Sequence, residues 1–384
     1  MKLLGYEKKP ITFNSACAIS DDMVYVASSL DSFDDNQQFS RLFMYDYTEE
    51  NGEGWYYHDV NFIVVDVCFY NVENNKKLIA LSDEGEIEEF DGEDSNFKNI
   101  DGAGLNQEWS KDRGYLSTIK FQNNKLFACG YDGQVYINEF NWLDLSTGLK
   151  SSNNQILDFE SLENEDDISV IDICEISGNY FCVGRIGDNG LIANYDGKRW
   201  NILKKVTPAT LYSIIPKKDG KLIVCGTYGN LIEINQDATL NRKTNLSIKD
   251  DFYSLTEFND ILYIGSACGL YKFHENEITK VNIHEDIDNN LVFKVDSTEN
   301  ILWIFTNKLI GRYDGNSWKI FDHPDNKEYQ KISLTVSANE KCPKTGYWYT
   351  VAKPNSRAYL KQGDAFPQLV TDWGEVYWTW DGED

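Results

Sequence analysis

The chain has 384 residues, of which 41% are hydrophobic, so it is long enough to bury a large core. Its 62 acidic residues against 36 basic ones give a formal net charge of -26. That balance disfavours nucleic acid and anionic membrane surfaces as partners, because both attract clustered Lys and Arg. It suits a basic protein partner, and it equally suits plain solubility.

The lack of recognisable targeting signals and the use of cysteine predict a cytoplasmic protein. No run approaches the ~20 apolar residues of a membrane span. The apolar stretch after Lys2 is shorter than the core of about 7–15 residues that a signal peptide needs. The eight cysteines form no CxxC pair, and most lie in apolar runs such as LFACG around Cys129 and LIVCG around Cys225. We therefore expect buried free thiols in a reducing compartment.

The first predicted repeat covers Ser15 to Asp59. MVYVAS and RLFMYDY have the β-branched and aromatic content of strands. The polar run DSFDDNQQ between them, from Asp31 to Gln38, is expected to be a loop.

Six further copies of one pattern follow. Each has an apolar strand, a polar turn, a second apolar strand that often ends in Gly, a Gly-containing turn and a third strand. The turn residues are those that tolerate positive φ. In the second half of the chain the copies recur about every 40 residues, and polar insertions such as ESLENEDD, from Glu160, lengthen the earlier ones. The copies begin at Val65, Leu116, Val170, Leu211, Phe252 and Val292.

This spacing predicts an all-β protein of the β-propeller class. Four strands in about 40 residues is the size of one propeller blade, and blades stacked in a ring protect each other's sheet edges. We predict seven blades of four antiparallel strands, with eight as the alternative. Residues 1–330 are expected to form the blades. The aromatic β-rich segment 331–384 is expected to close the ring or to form a further blade.

The repeats resemble bacterial propeller repeats of the WD40-like and two-component-regulator-like kind. The segments that carry the resemblance are YDGKRW at Tyr195–Trp200 and YDGNSW at Tyr313–Trp318, together with the Gly after the second strand. The resemblance covers about two thirds of the chain and implies a scaffold, so function has to be argued from a site.

Motifs that carry chemistry are missing from the sequence. The four histidines have no metal-ligand spacing, and neither a GxSxG elbow nor a phosphate-binding GxxxxGK[ST] loop occurs. GRIGDNG, at Gly184–Gly190, reads as a hairpin turn between strands. We predict no catalytic residue, no metal and no cofactor, although the abundant carboxylates leave an acid–base pair open.

Two kinds of segment are candidates for partner binding. The acidic loops supply charge, and the tail DWGEVYWTWDGED adds aromatic anchors beside carboxylates, a combination found in interface hot spots. The alternatives are solvated loops and a tail strand whose aromatic residues pack on the last sheet. The predicted partner-binding residues are Asp34, Asp35, Glu165, Asp166, Asp167, Asp372, Trp373, Glu375, Trp378 and Trp380.

The function we expect is non-catalytic protein binding by a monomer. Its specific form is a bacterial immunity protein that binds and neutralises a basic toxin or effector, because complementary charge speeds association. The alternative is a carbohydrate- or small-ligand-binding propeller, with or without hydrolytic activity, whose site lies at the mouth of the central channel. A sensor module detached from a signalling chain is the third hypothesis. An arginine cluster at the channel mouth would favour the second, and the candidates are Arg113, Arg185, Arg199, Arg312 and Arg357.

Overall fold

The computed structural model describes most of the chain. The described ranges are 8–33, 37–49, 54–73, 75–149, 167–203, 207–235, 239–243, 247–326, 335–350, 352–353, 356–367, 369 and 376–382. No helix in these ranges is long and apolar enough to cross a membrane.

The described secondary structure is almost entirely strand, with 32 strands, which confirms the all-β prediction. The strands form eight four-stranded antiparallel sheets. Sheet 1 is β1 (Ile11–Ala18), β2 (Met23–Leu30), β3 (Ser40–Asp46) and β4 (Trp55–Val60). Sheet 2 is β5 (Val64–Val72), β6 (Asn75–Ser82), β7 (Glu86–Phe90) and β8 (Ser95–Asn99). Sheet 3 is β9 (Leu116–Gln122), β10 (Lys125–Gly130), β11 (Val135–Asn138) and β12 (Trp142–Asp144). Sheet 4 is β13 (Ile168–Ile176), β14 (Asn179–Ile186), β15 (Asn189–Tyr195) and β16 (Trp200–Leu203).

The second half of the chain repeats the same arrangement. Sheet 5 is β17 (Leu211–Pro216), β18 (Leu222–Gly226), β19 (Asn230–Ile234) and β20 (Leu240–Arg242). Sheet 6 is β21 (Phe252–Phe258), β22 (Ile261–Ser266), β23 (Gly269–His274) and β24 (Glu277–Val281), and α1 (Glu285–Asp288) follows it. Sheet 7 is β25 (Val292–Ser297), β26 (Leu302–Thr306), β27 (Leu309–Tyr313) and β28 (Trp318–Asp322). Sheet 8 is β29 (Thr335–Ser337), β30 (Gly346–Tyr349), β31 (Ala358–Leu360) and β32 (Tyr377–Gly382), in the order β29-β32-β30-β31.

The chain divides into two compact units. Unit 1 contains Thr12–Phe321 and therefore sheets 1 to 7, whereas unit 2 contains the described residues of Leu3–Ile11 and Asp322–Asp384 and therefore sheet 8. The number of blades and the domain boundary at residue 330 stay predictions.

The hairpins between first and second strands form where the sequence predicted tight turns. Asn123 and Asn124 have φ values of 50° and 63°, and Asn259 and Asp260 have 51° and 60°. A two-residue turn with positive φ at both central positions matches the twist of the flanking strands, and Asn and Asp tolerate that conformation.

A glycine near the end of the second strand is required by the close approach of the first strand. The first strand of sheet 5 shifts register between Leu211 and Ser213, and its chain there runs against Gly226. A Cβ on Gly226 would lie 2.2 Å from the carbonyl oxygen of Thr210. Gly130 in sheet 3 meets the same kind of contact, at 2.3 Å from the carbonyl oxygen of Tyr115. The repeated Gly is therefore a packing requirement in the sheets that carry it.

The core of unit 1 lies between neighbouring sheets. One apolar cluster joins sheets 1 and 2, and similar clusters join each following pair up to sheets 6 and 7. Seven of the eight cysteines are buried, as predicted, and Cys129 and Cys225 lie in these clusters.

Sheet 7 also contacts sheet 1. Ala18 N donates to Asp296 Oδ2 at 2.9 Å, and Trp303 Nε1 donates to the carbonyl oxygen of Ser20 at 3.2 Å. The ring of Tyr45 packs 5.3 Å from that of Phe321. The contacts between sheets thus run from sheet 1 to sheet 7 and back to sheet 1.

In unit 2 the aromatic residues of the tail pack inward. Trp378 and Trp380 are 1% and 8% exposed, and they lie in one cluster with Trp348 and Phe366. This is the packing alternative raised from the sequence. The assignment of these two tryptophans to partner binding stays a prediction.

Candidate functional site

The two ends of the sheets in unit 1 differ in kind. At one end the first strand turns into the second and the third into the fourth, and we call this the hairpin face. At the other end the second strand turns into the third, and the fourth strand connects to the next sheet. We call this second end the connection face. Its loops bond to each other, since Gly133 N donates to Ile168 O at 2.9 Å and Thr227 N donates to Thr210 O at 2.9 Å.

Three tyrosines are exposed on the connection face. Tyr115 precedes the first strand of sheet 3 and is 40% exposed, while Tyr131 and Tyr228 follow the second strands of sheets 3 and 5 and are 48% and 62% exposed. The other large apolar side chains exposed in the described part of unit 1 lie on fourth strands or in the turn before one. These are Tyr56, Phe97, Phe140, Leu143, Ile202 and Leu240.

Backbone and ring contacts join the tyrosines of the connection face into two groups. In sheet 3, Tyr131 N donates to Tyr115 O at 3.0 Å. At sheets 5 and 6, Tyr228 N donates to Asp251 Oδ1 at 2.8 Å, and the rings of Tyr212 and Tyr253 lie 4.9 Å apart. Burial, the neighbouring Tyr253 and the carboxylate of Asp251 together raise the pKa of Tyr212. Both groups lie at the same end of the sheets.

Carboxylates without a bonded cation accompany this surface. Glu108 and Asp188 are exposed, in the loop before sheet 3 and in the turn between β14 and β15. Neither has a hydrogen bond or an ion pair with any residue that the structure describes. The surface therefore offers negative charge that a partner's Lys or Arg can meet.

A crowded group of carboxylates lies in the turn between β6 and β7. Glu84 holds the loop before sheet 3, accepting from Leu105 N at 2.7 Å. Burial and the Glu84 carboxylate raise the pKa of Asp83, and burial and Asp83 raise the pKa of Glu86. Asp83 Oδ1 is buried and accepts no hydrogen bond from the described residues. A nearby cation would relieve this repulsion.

On the hairpin face, lysines neutralise the carboxylates. Glu89 is bonded by Lys77 and Lys98 at 2.6 and 2.5 Å. Glu233 is bonded in the same way by Lys217 and Lys221, at 3.3 and 3.1 Å. These two carboxylates of the hairpin face are therefore already neutralised within the chain.

Most of the predicted partner-binding residues lie outside the described part of the chain. Asp167 is described, and it is exposed at the start of sheet 4 on the connection face, where Arg185 Nη2 bonds its Oδ2 at 2.9 Å. The predicted residues that lie outside the described ranges are Asp34, Asp35, Glu165, Asp166, Asp372, Trp373 and Glu375.

The YDGxxW segments build turns on the hairpin face. Asp196 accepts hydrogen bonds from Lys198 N at 2.9 Å and Arg199 N at 3.0 Å, and Gly197 follows it at a φ of 91°. The Asn201 side chain and these two amides lower the pKa of Asp196 to about 2. The motif is therefore a structural turn, as its resemblance to propeller repeats implies.

A central cavity of about 680 Å³ is lined by the first strands of all seven sheets of unit 1. None of the five candidate arginines lines it, and its cations are Lys120 and Lys294. Arg113, for example, bonds Asp144 at 3.2 Å outside the cavity. Within the described ranges no group of three His, Cys, Asp or Glu side chains has the geometry to hold a metal ion.

Comparison with known proteins gives one sequence relative and a wide set of structural ones. No family model matches the chain. It is 26% identical over 216 residues to the immune protein Tsi7 of Pseudomonas aeruginosa. The match covers 55% of this chain and 65% of Tsi7, so it falls short of two thirds of the relative's length.

The solved structures that resemble the chain show its fold to be propeller-like. The WD40 propeller domain of Doa1 superposes with a TM-score of 0.54 and 12% identity, covering 84% of this chain and 96% of that one. The extracellular domain of a hybrid two-component system from B. thetaiotaomicron gives 0.51 and 13%, covering 80% and 38%. YCF48 from Cyanidioschyzon merolae gives 0.53 and 10%, covering 84% and 98%. The resemblance to WD40 and two-component-regulator repeats is confirmed at the level of fold.

Proposed function

We propose that this protein is a non-catalytic binding protein of the immunity type, which neutralises a basic toxin or effector by covering it with the connection face of unit 1. The observation that carries the proposal is the set of exposed tyrosines on that face, together with carboxylates that have no bonded partner among the described residues. The similarity to an immune protein supports it.

The chemistry of the surface fits a basic protein. Tyr115, Tyr131 and Tyr228 offer large, rigid contact areas with a polar tip, a property that enriches tyrosine at interfaces. Around them, Glu108 and Asp188 supply charge that would steer a cationic partner and fix its orientation. The formal net charge of -26 extends the same attraction over the whole molecule.

We extend the proposal to the assembly and the place of action. Sheets 1 to 7 would be the seven blades of a closed propeller, supported by the hydrogen bonds that Asp296 accepts from Ala18 N and that Trp303 donates to Ser20 O. The protein would act as a cytoplasmic monomer, and its partner would be a protein rather than nucleic acid or a membrane.

The test compares two variants of equal charge in capture from host lysate. In the face variant, Glu108→Lys and Asp188→Lys reverse two charges on the connection face. In the control, Glu93→Lys and Glu299→Lys reverse two exposed charges in hairpin-face turns. Both variants change the net charge by the same amount, so only position differs.

The proposal predicts that the wild type and the control retain one stoichiometric basic protein, which elutes as salt is raised. The face variant should lose it, and co-expression of the wild type with that protein should restore growth that the protein alone arrests. Equal loss from both variants, or no basic protein retained by the wild type, would refute the proposal.

A further inference from the structure

One position on the first strands of unit 1 joins several sheets to the next. Asp66, which follows the register shift in β5, accepts from Ile119 N of sheet 3 at 2.9 Å. In sheet 4, Asp172 accepts from Ile214 N of sheet 5 at 2.8 Å. An oxygen-bearing side chain here therefore satisfies a buried amide of the neighbouring strand.

The same arrangement recurs with hydroxyl groups. Ser15 Oγ of sheet 1 accepts from Val67 N at 3.1 Å, and Ser254 Oγ of sheet 6 accepts from Val295 N at 3.1 Å. In sheet 3, Thr118 Oγ1 instead donates to a carbonyl oxygen of sheet 4 at 2.6 Å. The position is thus structural in most sheets.

Sheet 7 departs from this rule, because Lys294 occupies the position. An ammonium cannot accept a hydrogen bond. The bond from sheet 1 is instead accepted two residues after Lys294 on the same strand, where Asp296 Oδ2 accepts from Ala18 N. Lys294 Nζ has no hydrogen bond or ion pair with any residue in the described ranges. Its side chain lines the central cavity, so its three donors are available there.

The surroundings keep this ammonium charged. Burial alone would lower the pKa of Lys294, but the carboxylates of Asp66, Asp296 and Asp172 outweigh burial and raise it. Those carboxylates create a negative potential at the site, which would repel an anion. The other lysine of the cavity, Lys120, is already bonded to Asp172 at 2.9 Å.

The carboxylates also have acceptor capacity left. Asp66 accepts from Ser15 Oγ and Ile119 N, and Asp296 accepts from Ser297 N and Ala18 N. A carboxylate offers roughly four acceptor sites, so about half remain on each. The cavity therefore presents charged donors beside free acceptors, and a hydroxyl group matches both because it donates one hydrogen bond and accepts two.

Aromatic and apolar faces complete the cavity. Tyr212, Tyr253 and Phe293 line it, and the rings of the first two are tilted by 50° with their centres 4.9 Å apart. Such faces pack against the C–H side of a ring that carries hydroxyls at its edge. A volume of about 680 Å³ lies within the range of small-molecule sites, about 300–1,000 Å³.

From this geometry we infer that the central cavity of unit 1 binds a neutral polyhydroxylated molecule of sugar or cyclitol type, with Lys294 as its main hydrogen-bond donor. This site adjoins the connection-face surface, because Tyr212 and Tyr253 belong to both, and it does not depend on the identity of a protein partner.

Saturation-transfer NMR on the full chain tests the inference with named probes. The probes are glucose, galactose, N-acetylglucosamine, myo-inositol and maltose, with acetate and phosphate as anionic comparisons. At least one neutral probe should bind with a dissociation constant on the order of 1 mM. Lys294→Met should weaken it at least about tenfold, whereas Glu93→Lys in a hairpin-face turn should leave it unchanged.

A second measurement uses the wild type and covers the case in which Lys294→Met does not fold. The amine of Lys294 is acetylated with a water-soluble acylating reagent, and the rate at that residue is followed by mass spectrometry. The binding probe should slow acetylation of Lys294 and leave that of exposed Lys249 unchanged. The inference is overturned if no neutral probe binds or if acetate binds more tightly than every neutral probe. It is also overturned if Lys294→Met binds the probe as the wild type does and the probe leaves the acetylation rate of Lys294 unchanged.

Discussion

Removing the carboxylate of Asp172 should be one of the most damaging single changes in unit 1. Its Oδ1 is bonded by Lys120 Nζ at 2.9 Å and its Oδ2 by the buried Ile214 N at 2.8 Å. Asp172 is only 8% exposed, and Asp172→Ala leaves Ile214 N without its acceptor and Lys120 without its ion-pair partner, with only the carbonyl oxygen of Ile214 left to it at 3.0 Å. Breaking a buried pair from one side costs about 3–5 kcal/mol.

The expected shift in melting temperature follows from the size of the unit. Unit 1 spans about 310 residues, and at roughly 2.1 cal/mol/K per residue its unfolding entropy is about 0.65 kcal/mol/K. A loss of about 4 kcal/mol then lowers the melting temperature by about 6 °C. Asp172→Asn, which keeps an oxygen for Ile214 N but loses the charge, should cost about 1.5–3 kcal/mol.

Differential scanning calorimetry on the full chain measures these shifts. The control is Asp188→Ala, an exposed carboxylate with no partner in the described part of the chain, which should stay within about 0.5 kcal/mol of the wild type. If Asp172→Ala melts together with this control, the bonds between first strands do not stabilise unit 1, and the reasoning about that position is wrong.

Three further outcomes are expected. Gly226→Ala should destabilise unit 1 by about 1–3 kcal/mol in urea unfolding, because its Cβ would lie 2.2 Å from Thr210 O; a neutral effect would contradict that packing argument. Glu86→Gln should stabilise the protein by roughly 0.5 kcal/mol at neutral pH. Burial and Asp83 raise the pKa of Glu86 in the folded protein above the unfolded value of 4.5. The loss of stability that ionised Glu86 causes in the wild type is therefore absent below pH 4.5 and grows as pH rises through the folded pKa. The stability gained by Glu86→Gln should accordingly vanish in acid. NMR titration should place the pKa of Asp196 near 2, and an ordinary value would show that its turn does not form in solution.

Sequence reasoning predicted the parts of the fold that depend on neighbouring residues. The Asn123–Asn124 turn needs only two side chains that tolerate positive φ. The Gly at the end of a second strand and the YDGxxW turn were visible as repeats, although the reason for the Gly, a carbonyl 2.2 Å from a Cβ on Gly226, appears only in three dimensions.

The binding surface could not be predicted in the same way, because it depends on which loops meet. In sequence, Tyr131 and Tyr228 cannot be told from any other tyrosine that follows a strand. They share a face only because both lie at the same end of their sheets, which the structure shows. Trp378 shows a second limit of reasoning from sequence, which cannot tell a buried aromatic ring from an exposed one. Its aromatic, acidic neighbourhood suggested an interface, but a strand buries alternate residues and its ring lies in the core of unit 2.

Lys294 was missed for a related reason. A lysine in a strand is ordinary in sequence, and its significance comes from Asp66 and Asp172, which lie far from it along the chain. A signal was nevertheless present, because aligning the copies places Lys294 where the others have Ser, Thr or Asp. One residue that departs from a repeat in type is worth examining before the structure is known.

Hydrogen–deuterium exchange on the complex with the captured basic protein tests the central claim most directly. The account predicts slower exchange in the peptides that carry Tyr115, Tyr131 and Tyr228, and no change in the hairpin-face turns at Asp196 and Asp260. Protection confined to the hairpin face, or to unit 2, would contradict the claim that the connection face of unit 1 binds the partner.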